Sequence, residues 1–223
     1  MTEQRIETKT RGNALGFWFF RTALKFTGLR GAYGLLYIVC AWYALFDGEA
    51  VAGAAAYLRR RFPGSSVLRI RLEVYRLFIS QGKQLIDRAA ALVHAVDFSF
   101  TLVGQDQLGA LAKTSGGMVL LTAHAGNWQI ALSTLRCLGR KVCLVMRPED
   151  NPAVREALQI DGRNDYVEII SPEGHLGGVV PVMNALREGK VVSFMGDRVY
   201  GFESVEVDFL GDKARFPCGA FVV

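Results

Sequence analysis

Cysteine and histidine are scarce in this sequence, and neither is arranged as a metal site. The 223 residues contain three histidines and four cysteines: Cys40, Cys137, Cys143 and Cys218. There is no Cys-x-x-Cys pair, and each cysteine lies in or near an apolar run, so we predict buried, reduced thiols in a cytoplasmic environment. Ligands scattered in this way exclude a metal site, and we expect none.

The first fifty residues lack an uncharged segment long enough to span a bilayer. Residues 31–46 form an apolar run of 16 residues, whereas a transmembrane helix needs about 20. Residues 16–26 are rich in aromatic side chains but include Arg21 and Lys25, a mixture typical of the lipid headgroup region. The apolar run starts late and lacks a small-residue cleavage site, so we do not expect a signal peptide. We predict two interfacial or shallowly inserted helices, with a buried helical hairpin as the alternative.

Acidic residues are few in the first part of the chain. Up to Arg88 there are 14 Lys and Arg against six Asp and Glu, whereas the remainder has 12 against 15. The basic residues alternate with Leu, Phe, Trp and Tyr instead of forming a polar stripe, which favours an anionic lipid surface over nucleic acid. We therefore expect a membrane-facing module joined to a chemical one, and no nucleic-acid partner.

The pattern of apolar residues changes near residue 96. Residues 1–95 show helical spacing and form the predicted membrane-associating region, and residues 96–223 alternate short apolar runs with longer mixed ones. The predicted strands are 98–103, 118–122, 142–146, 166–170 and 191–195. The predicted helices are 49–61, 67–95, 106–114, 127–138, 152–161 and 179–187. This alternation is typical of an α/β fold with a largely parallel sheet flanked by helices, whose sites lie at the carboxyl ends of the strands.

His124 is placed where the strand at 118–122 gives way to a helix. An imidazole at a helix N-terminus suits a general base beside a position that favours anions. Five residues later, Gln129 could orient the ring, although a carboxylate would be expected there. The alternative is a core histidine hydrogen-bonded to backbone, with Asn127 only a helix N-cap.

Two further strand ends carry charged residues. Arg147 follows the strand at 142–146, where it could clamp a phosphate or carboxylate in a bidentate manner, or pair with the neighbouring acidic residues. Asp197 and Arg198 follow the strand at 191–195, where a surface ion pair is the simpler interpretation. In a parallel sheet these ends share an edge with His124, which favours a common site.

Taken together, the three motifs resemble the lysophospholipid acyltransferase superfamily, and within it the lipid A biosynthesis acyltransferases. The sequence His-Ala-Gly-Asn-Trp-Gln at 124–129 is similar to the His-x-Gly-Asn-Trp-Glu box of that branch, except at its last position. The other two boxes are similar to Arg147-Pro148 with Asn151-Pro152, and to Gly196-Asp197-Arg198 with Phe209-Leu210-Gly211 and Phe216-Pro217. The likeness extends over roughly residues 14–223.

The resemblance implies an O-acyltransferase in which His124 is the general base that takes a hydroxyl proton. Gln129 can select a ring tautomer but brings no charge, and Asp197 is the candidate substitute acid. Backbone N–H groups of Gly126 and Asn127 are candidates for stabilising the oxyanion. The remaining predicted substrate-binding residues are Trp128, Arg147, Asn151 and Arg198, the two arginines holding phosphate.

The resemblance also predicts partners and location. The donor is an acyl thioester of acyl carrier protein or coenzyme A, the acceptor is a membrane lipid or glycolipid, and no other cofactor is expected. The location is the cytoplasmic face of the bacterial inner membrane; oligomeric state is not predicted. Family members usually continue beyond the Phe-Pro-x-Gly region, so we expect this chain to be truncated. The alternative function is a catalytically weak or inactive lipid-binding protein on the same fold.

Overall fold

The computed structural model describes residues 14–92, 98–146, 166–172, 178–199 and 203–223. The chain divides into two compact units, Met1–Asp97 and Phe98–Val223. The first is helical and the second contains the strands. A parallel sheet flanked by helices confirms the predicted α/β fold class.

Three helices form the described part of the first unit: α1 (Ala14–Phe46), α2 (Gly48–Arg61) and α3 (Val67–Leu92). α1 is interrupted at Gly28, whose φ of 66° and ψ of −168° are not helical. Gly28 therefore divides α1 into two helical segments, as the prediction of two helices at 16–26 and 31–46 required. α2 begins at Gly48 because the carboxylate of Asp47 accepts a hydrogen bond from the backbone N–H of Ala50 at 2.9 Å.

One face of α1 packs against α3. Leu24, Leu36 and Cys40 of α1 form a buried cluster with Ile86 and Ala90 of α3. Large apolar side chains elsewhere on α1 remain exposed, among them Trp18, Phe26, Ile38, Trp42 and Leu45. The alternative of a buried helical hairpin therefore does not hold within the described chain.

Within α1, the stretch Trp18–Phe46 is long and apolar enough to cross a membrane, the one such helix among the described residues. Only 17% of its most apolar window is buried inside the protein. Length and composition do not separate a spanning helix from an interfacial one. The predicted interfacial position thus stays a prediction.

The second unit alternates helices and strands. Its elements are α4 (Gln105–Ala112), β1 (Met118–Thr122), α5 (Trp128–Ala131), a 3₁₀ segment (Leu132–Leu138), β2 (Val142–Val145), β3 (Val167–Ile170), α6 (Val179–Arg187), β4 (Val191–Met195), β5 (Ser204–Phe209), β6 (Asp212–Pro217) and a 3₁₀ turn (Gly219–Phe221). The strands predicted at 118–122, 142–146, 166–170 and 191–195 are confirmed to within one residue.

Strands β1 to β4 form one parallel sheet in the order β1-β4-β2-β3. β4 lies between β1 and β2, and its residues Val191 and Val192 are fully buried, as expected for the centre of a covered parallel sheet. In register, Thr122 of β1 faces Met195, and Val145 of β2 faces Phe194. The carboxyl ends of β1, β4 and β2 consequently share one edge, which we call the catalytic edge.

Two expectations about secondary structure were wrong, and one element was missed. Residues 98–103 are not a strand, and the side chains of Phe100 and Val103 are exposed; an apolar run without a neighbouring strand has nothing to pair with. The helix predicted at 127–138 is α-helical only over Trp128–Ala131 and then becomes 3₁₀, in a segment where Ser133 and Thr134 weaken α-helical propensity. The hairpin β5–β6 was not predicted.

The prediction of buried cysteines was correct for Cys40 and Cys143 and wrong for Cys137. All four cysteines are free, but Cys137 is exposed and Cys218 is partly exposed. The helix predicted at 152–161 lies outside the described residues.

Candidate active site

His124 and Asp197 meet at the catalytic edge. Each lies two residues beyond the in-register pair Thr122 and Met195, at the ends of the neighbouring strands β1 and β4. The Nδ1 atom of His124 is 2.9 Å from Oδ1 of Asp197. Two side chains separated by 73 positions in sequence are thus brought into hydrogen-bond contact by strand pairing alone.

The same carboxylate also holds the main chain of the histidine. Oδ2 of Asp197 accepts a hydrogen bond from the backbone N–H of His124 at 3.0 Å. The ladder between the strands extends one residue further, because the N–H of Gly196 donates to the carbonyl of Thr122 at 2.8 Å. A Cβ at position 196 would lie 2.9 Å from Cδ1 of Leu121, so a glycine here permits the close approach. Both the ring and its backbone are therefore fixed by Asp197.

The environment of Asp197 determines its charge and the tautomer of the ring. Partial burial opposes ionisation, but the hydrogen bonds from the ring and backbone of His124 outweigh it and hold the pKa of Asp197 below its usual value. An ionised carboxylate only accepts hydrogen bonds, so Nδ1 of His124 must carry the proton. In the neutral ring the lone pair then lies on Nε2, the atom available for general base chemistry.

Trp128 packs on the other side of this arrangement. Its ring centroid lies 6.0 Å from that of the His124 ring, with the two planes at 85°. Edge-to-face contact of this kind is a favoured arrangement of aromatic rings. Because Trp128 begins α5, the histidine ring is restrained by one strand end and by the following helix.

The residues between His124 and Trp128 form a tight turn. The N–H of Ala125 donates to the carbonyl of Ala123 at 2.8 Å, and Gly126 adopts a φ of 62°, which favours glycine. Asn127 is half-buried and precedes α5 directly. The predicted helix start is present, but α5 has only four residues, so its macrodipole is much weaker than that of a long helix.

Gln129, the predicted orienting residue, lies in α5 by its backbone, and its side chain is outside the described part of the structure. The Nδ1 atom of His124 has one proton to donate, and Asp197 lies at that atom. The orienting contact that the sequence suggested for position 129 is therefore made by position 197. Arg147 and Asn151 also lie outside the described residues.

Arg198 is exposed and lines a small cleft, about 20 Å³ in volume, at the catalytic edge. The other walls come from the ends of the strands and from the segment after β6: Leu121, Val145, Phe194, Met195, Gly196, Pro217, Gly219 and Ala220. The contribution of Gly219 and Ala220 was not predicted from the sequence. Their only signal was the resemblance at Phe216-Pro217, which lies just before them with Cys218 in between.

Among the described residues, no group of three or more His, Cys, Asp or Glu could hold a metal ion. The site as described thus consists of an imidazole, one carboxylate, an indole, a guanidinium and a small apolar cleft. Such a set can remove a proton from a bound hydroxyl and stabilise the resulting imidazolium.

Residues 66–222 match the sequence model of the bacterial lipid A biosynthesis acyltransferases. The matched range covers all of α3 and almost the whole second unit, including His124 and Asp197. A search of curated proteins finds no match.

Proposed function

Because this chain belongs to the bacterial lipid A biosynthesis acyltransferase family, we propose that it moves a fatty acyl chain from a thioester to a hydroxyl of a lipid acceptor. His124 is the general base of this reaction. The observation that carries the proposal is the 2.9 Å contact between Nδ1 of His124 and Asp197, which leaves Nε2 to take a proton.

The reaction proceeds by one addition and one elimination. As the acceptor oxygen attacks the thioester carbonyl, its proton passes to Nε2 of His124, and a C–O bond forms. The tetrahedral oxyanion then collapses, the C–S bond breaks, and the proton on the imidazolium passes to the departing thiolate. The products are an ester and a free thiol, and the histidine returns to its neutral form.

Asp197 positions the base and stabilises its charged form. Its carboxylate keeps the proton of the neutral ring on Nδ1 and lies beside the positive charge that develops during attack. Trp128 limits rotation of the ring through their edge-to-face contact. With a carboxylate at Nδ1, a second one at position 129 is not needed for this chemistry. The amide of Gln129 is therefore compatible with an active enzyme.

Other parts of the site are assigned from their positions next to His124 and at the cleft. The backbone N–H groups of Gly126 and Asn127 are next to the histidine in sequence and are our candidates for the oxyanion site. Arg198, which lines the cleft, and Arg147 would hold a phosphate of the donor or the acceptor, and Asn151 is a further candidate for substrate binding.

The first unit supports a location at the membrane. Exposed apolar side chains on α1, among them Phe26, Ile38 and Trp42, occur together with basic residues such as Arg21 and Lys25, a combination that suits an anionic lipid surface. The proposed location is the cytoplasmic face of the inner membrane, where acyl carrier protein or coenzyme A would deliver the donor chain.

The test is transfer of a labelled acyl group to lipid by the full chain and by His124→Ala. Removal of the base is expected to lower the transfer rate by a factor of about 10² to 10⁴. His94→Ala, which removes an imidazole from the first unit, is the matched control and should retain activity. No transfer by wild type, with lipid binding intact, would instead support the non-catalytic lipid-binding protein, and equal measurable rates for wild type and His124→Ala would rule out His124 as the general base.

A further inference from the structure

The hairpin β5–β6 has one apolar face. Val205, Val207 and Phe209 alternate along β5, and cross-strand pairing places Phe216 opposite Val205 and Ala214 opposite Val207. Because side chains alternate between the two faces of a strand, these five residues share one face, and Asp212, which pairs with Phe209, is the one charged residue on it and lies at its end beside the turn. We call it the apolar hairpin face.

The opposite face carries paired charges. Glu206 lies across from Arg215, and Asp208 lies across from Lys213. Nζ of Lys213 is 2.7 Å from Oδ1 of Asp208. Opposite charges at facing positions partly neutralise each other and suit a surface that stays in water.

The apolar hairpin face is open to solvent in the isolated chain. Val205 is 46% exposed, Val207 39% and Phe209 50%. None of the hydrophobic clusters formed by described residues includes any of the three. Phe209 and Phe216 contact one another at 5.4 Å between centroids, but a hairpin alone buries little apolar area. Contiguous exposed apolar surface of this kind marks an interaction site.

The tip of the hairpin is also apolar, and its backbone is strained. Leu210 has a φ of 54° and is the one non-glycine residue of the described chain with positive φ. The left-handed conformation is unfavourable for a bulky L-residue, and Gly, Asn or Asp is usual in such a turn. Here the turn instead presents a leucine that is 40% exposed. Strain of this kind is typical of a functional position.

Both ends of the hairpin are attached to the catalytic edge. β5 begins at Ser204, seven residues after Asp197, and β6 ends at Pro217, which lines the cleft beside Arg198. The N–H of Cys218 donates to the carbonyl of Glu203 at 3.0 Å and closes the base of the hairpin. Whatever covers the apolar hairpin face therefore lies next to the site.

We propose that the apolar hairpin face and Leu210 insert into the hydrocarbon of the lipid layer that holds the acceptor. This rests on the proposed function, since it takes the acceptor to be a membrane lipid. Strands of six residues are about 20 Å long, so the hairpin lies in the interface and does not span it. Insertion brings the catalytic edge to the membrane surface and leaves the charged face in water.

A second copy of the chain fits these features less well. A dimer formed through the apolar hairpin face would cover Val205 and Val207, but it would give no reason for an apolar, strained tip beyond the last strand pair. A lipid layer accounts for both, because the tip is the part that enters it first.

Tryptophan fluorescence with brominated lipids tests the insertion directly. Phe209→Trp places a reporter on the apolar hairpin face, and Lys213→Trp places one on the charged face of the neighbouring strand. With the full chain and vesicles of phosphatidylcholine and phosphatidylglycerol brominated on the acyl chains, the emission added at position 209 should fall by about half or more. The emission added at position 213 should be unaffected. Equal quenching at both positions, or no quenching at position 209, overturns the proposal.

Vesicle partitioning gives an independent measurement. The double variant Phe209→Ser/Leu210→Ser should bind the same vesicles at least about tenfold more weakly. The matched variant Asp208→Ser/Lys213→Ser removes an exposed pair without net charge and should change binding by less than about twofold. If instead the apolar variant converts a dimer to a monomer without lipid, the face is a subunit interface and the proposal fails. Hairpin insertion without acyl transfer would refute only the proposed function.

Discussion

The two units differ in where their apolar residues lie: many are buried in the sheet of the second unit, and many are exposed on α1 of the first. In the second unit the apolar strand β4 lies between β1 and β2 in the sheet, with Val191 at 0% exposure. In the first unit α1 carries a comparable density of apolar residues, yet Ile38 is 71% exposed. Burial inside a domain keeps the sheet rigid, so that the side chains at the carboxyl ends of its strands keep fixed distances from one another. Exposure on a helix supports contact with an apolar environment outside the chain. The sheet therefore holds the proposed site residues in fixed positions, whereas the exposed side chains of α1 are available for contact with an apolar environment outside the chain.

Asp197→Asn is expected to have the largest effect. A carboxamide cannot stabilise the imidazolium, and its NH₂ group can turn toward Nδ1 and select the wrong tautomer; the same exchange in a serine protease lowers the rate by about 10⁴. We expect a loss of about 10³ to 10⁴ in acyl transfer rate, measured with labelled donor. Vesicle binding should be unchanged, because Asp197 lies neither on α1 nor on the apolar hairpin face. Asp208→Asn is the control. A loss of vesicle binding in Asp197→Asn would mean that the site and the lipid contact are not independent of each other.

Gly82 offers the converse test in the first unit. A Cβ at this position would lie 2.3 Å from Cδ1 of Leu36, whereas Gly53 in α2 has open space around it. Gly53→Ala should stabilise the protein by about 0.5–1 kcal/mol through helix propensity. Gly82→Ala should instead destabilise it by about 1–3 kcal/mol, since overpacking between α1 and α3 exceeds that gain. Denaturant unfolding measures both, and equal stabilisation by the two variants would contradict the packing of α1 on α3.

The low pKa of Asp197 predicts how stability responds to acid. A carboxylate whose folded-state pKa is depressed contributes stability that is fully present above the unfolded value, about 3.9, and is lost as pH falls through the lower folded value. The free energy of unfolding of wild type should therefore exceed that of Asp197→Asn near neutral pH, and this difference should disappear in strong acid. Unfolding curves of both proteins at several pH values provide the measurement. A difference that does not change with pH would mean that the His124 contact contributes nothing through charge.

The smallest effect is expected at Gln129. If Asp197 already supplies the charge at Nδ1, Gln129→Glu should change the acyl transfer rate by less than about threefold at neutral pH. A large gain in rate would show that position 129 is the orienting position and that the wild-type amide limits turnover. Gln129→Ala, which removes the polar group, completes the comparison and should likewise have little effect.

The sequence predicted the bounds of individual strands and helices well, but it did not show which strands lie next to each other. β1, β4 and α6 were predicted with the observed ends, because runs of β-branched or helix-patterned residues bounded by glycine and charge are local signals. The residues His124 and Asp197 were identified on the same basis. Asp197 was predicted as one candidate partner of the ring, but the sequence could not decide between it and Gln129, since the contact depends on β4 pairing with β1. That choice is made by tertiary packing.

Two other segments of the second unit, 98–103 and 204–217, were not predicted correctly. The alternation in residues 204–209 is a clear strand signal, but it was interpreted only as part of a resemblance and the hairpin was overlooked. Residues 98–103 have the composition of a strand but pair with no strand in the described part of the chain. Strand prediction from one sequence measures suitability for a sheet, whereas the sheet itself requires a second strand.

The strand order has a consequence for when the site comes into existence. β1 and β2 are made first, and the position between them is filled only by β4, the last strand of the sheet in sequence. His124 therefore has no carboxylate partner at Asp197 until β4 has entered the middle of the sheet and completed the hydrophobic core around it. During synthesis from the N-terminus, the basic and apolar first unit is complete before β4 is made, and so before His124 can contact Asp197. The last strand of the sheet in sequence therefore completes the contact between His124 and Asp197.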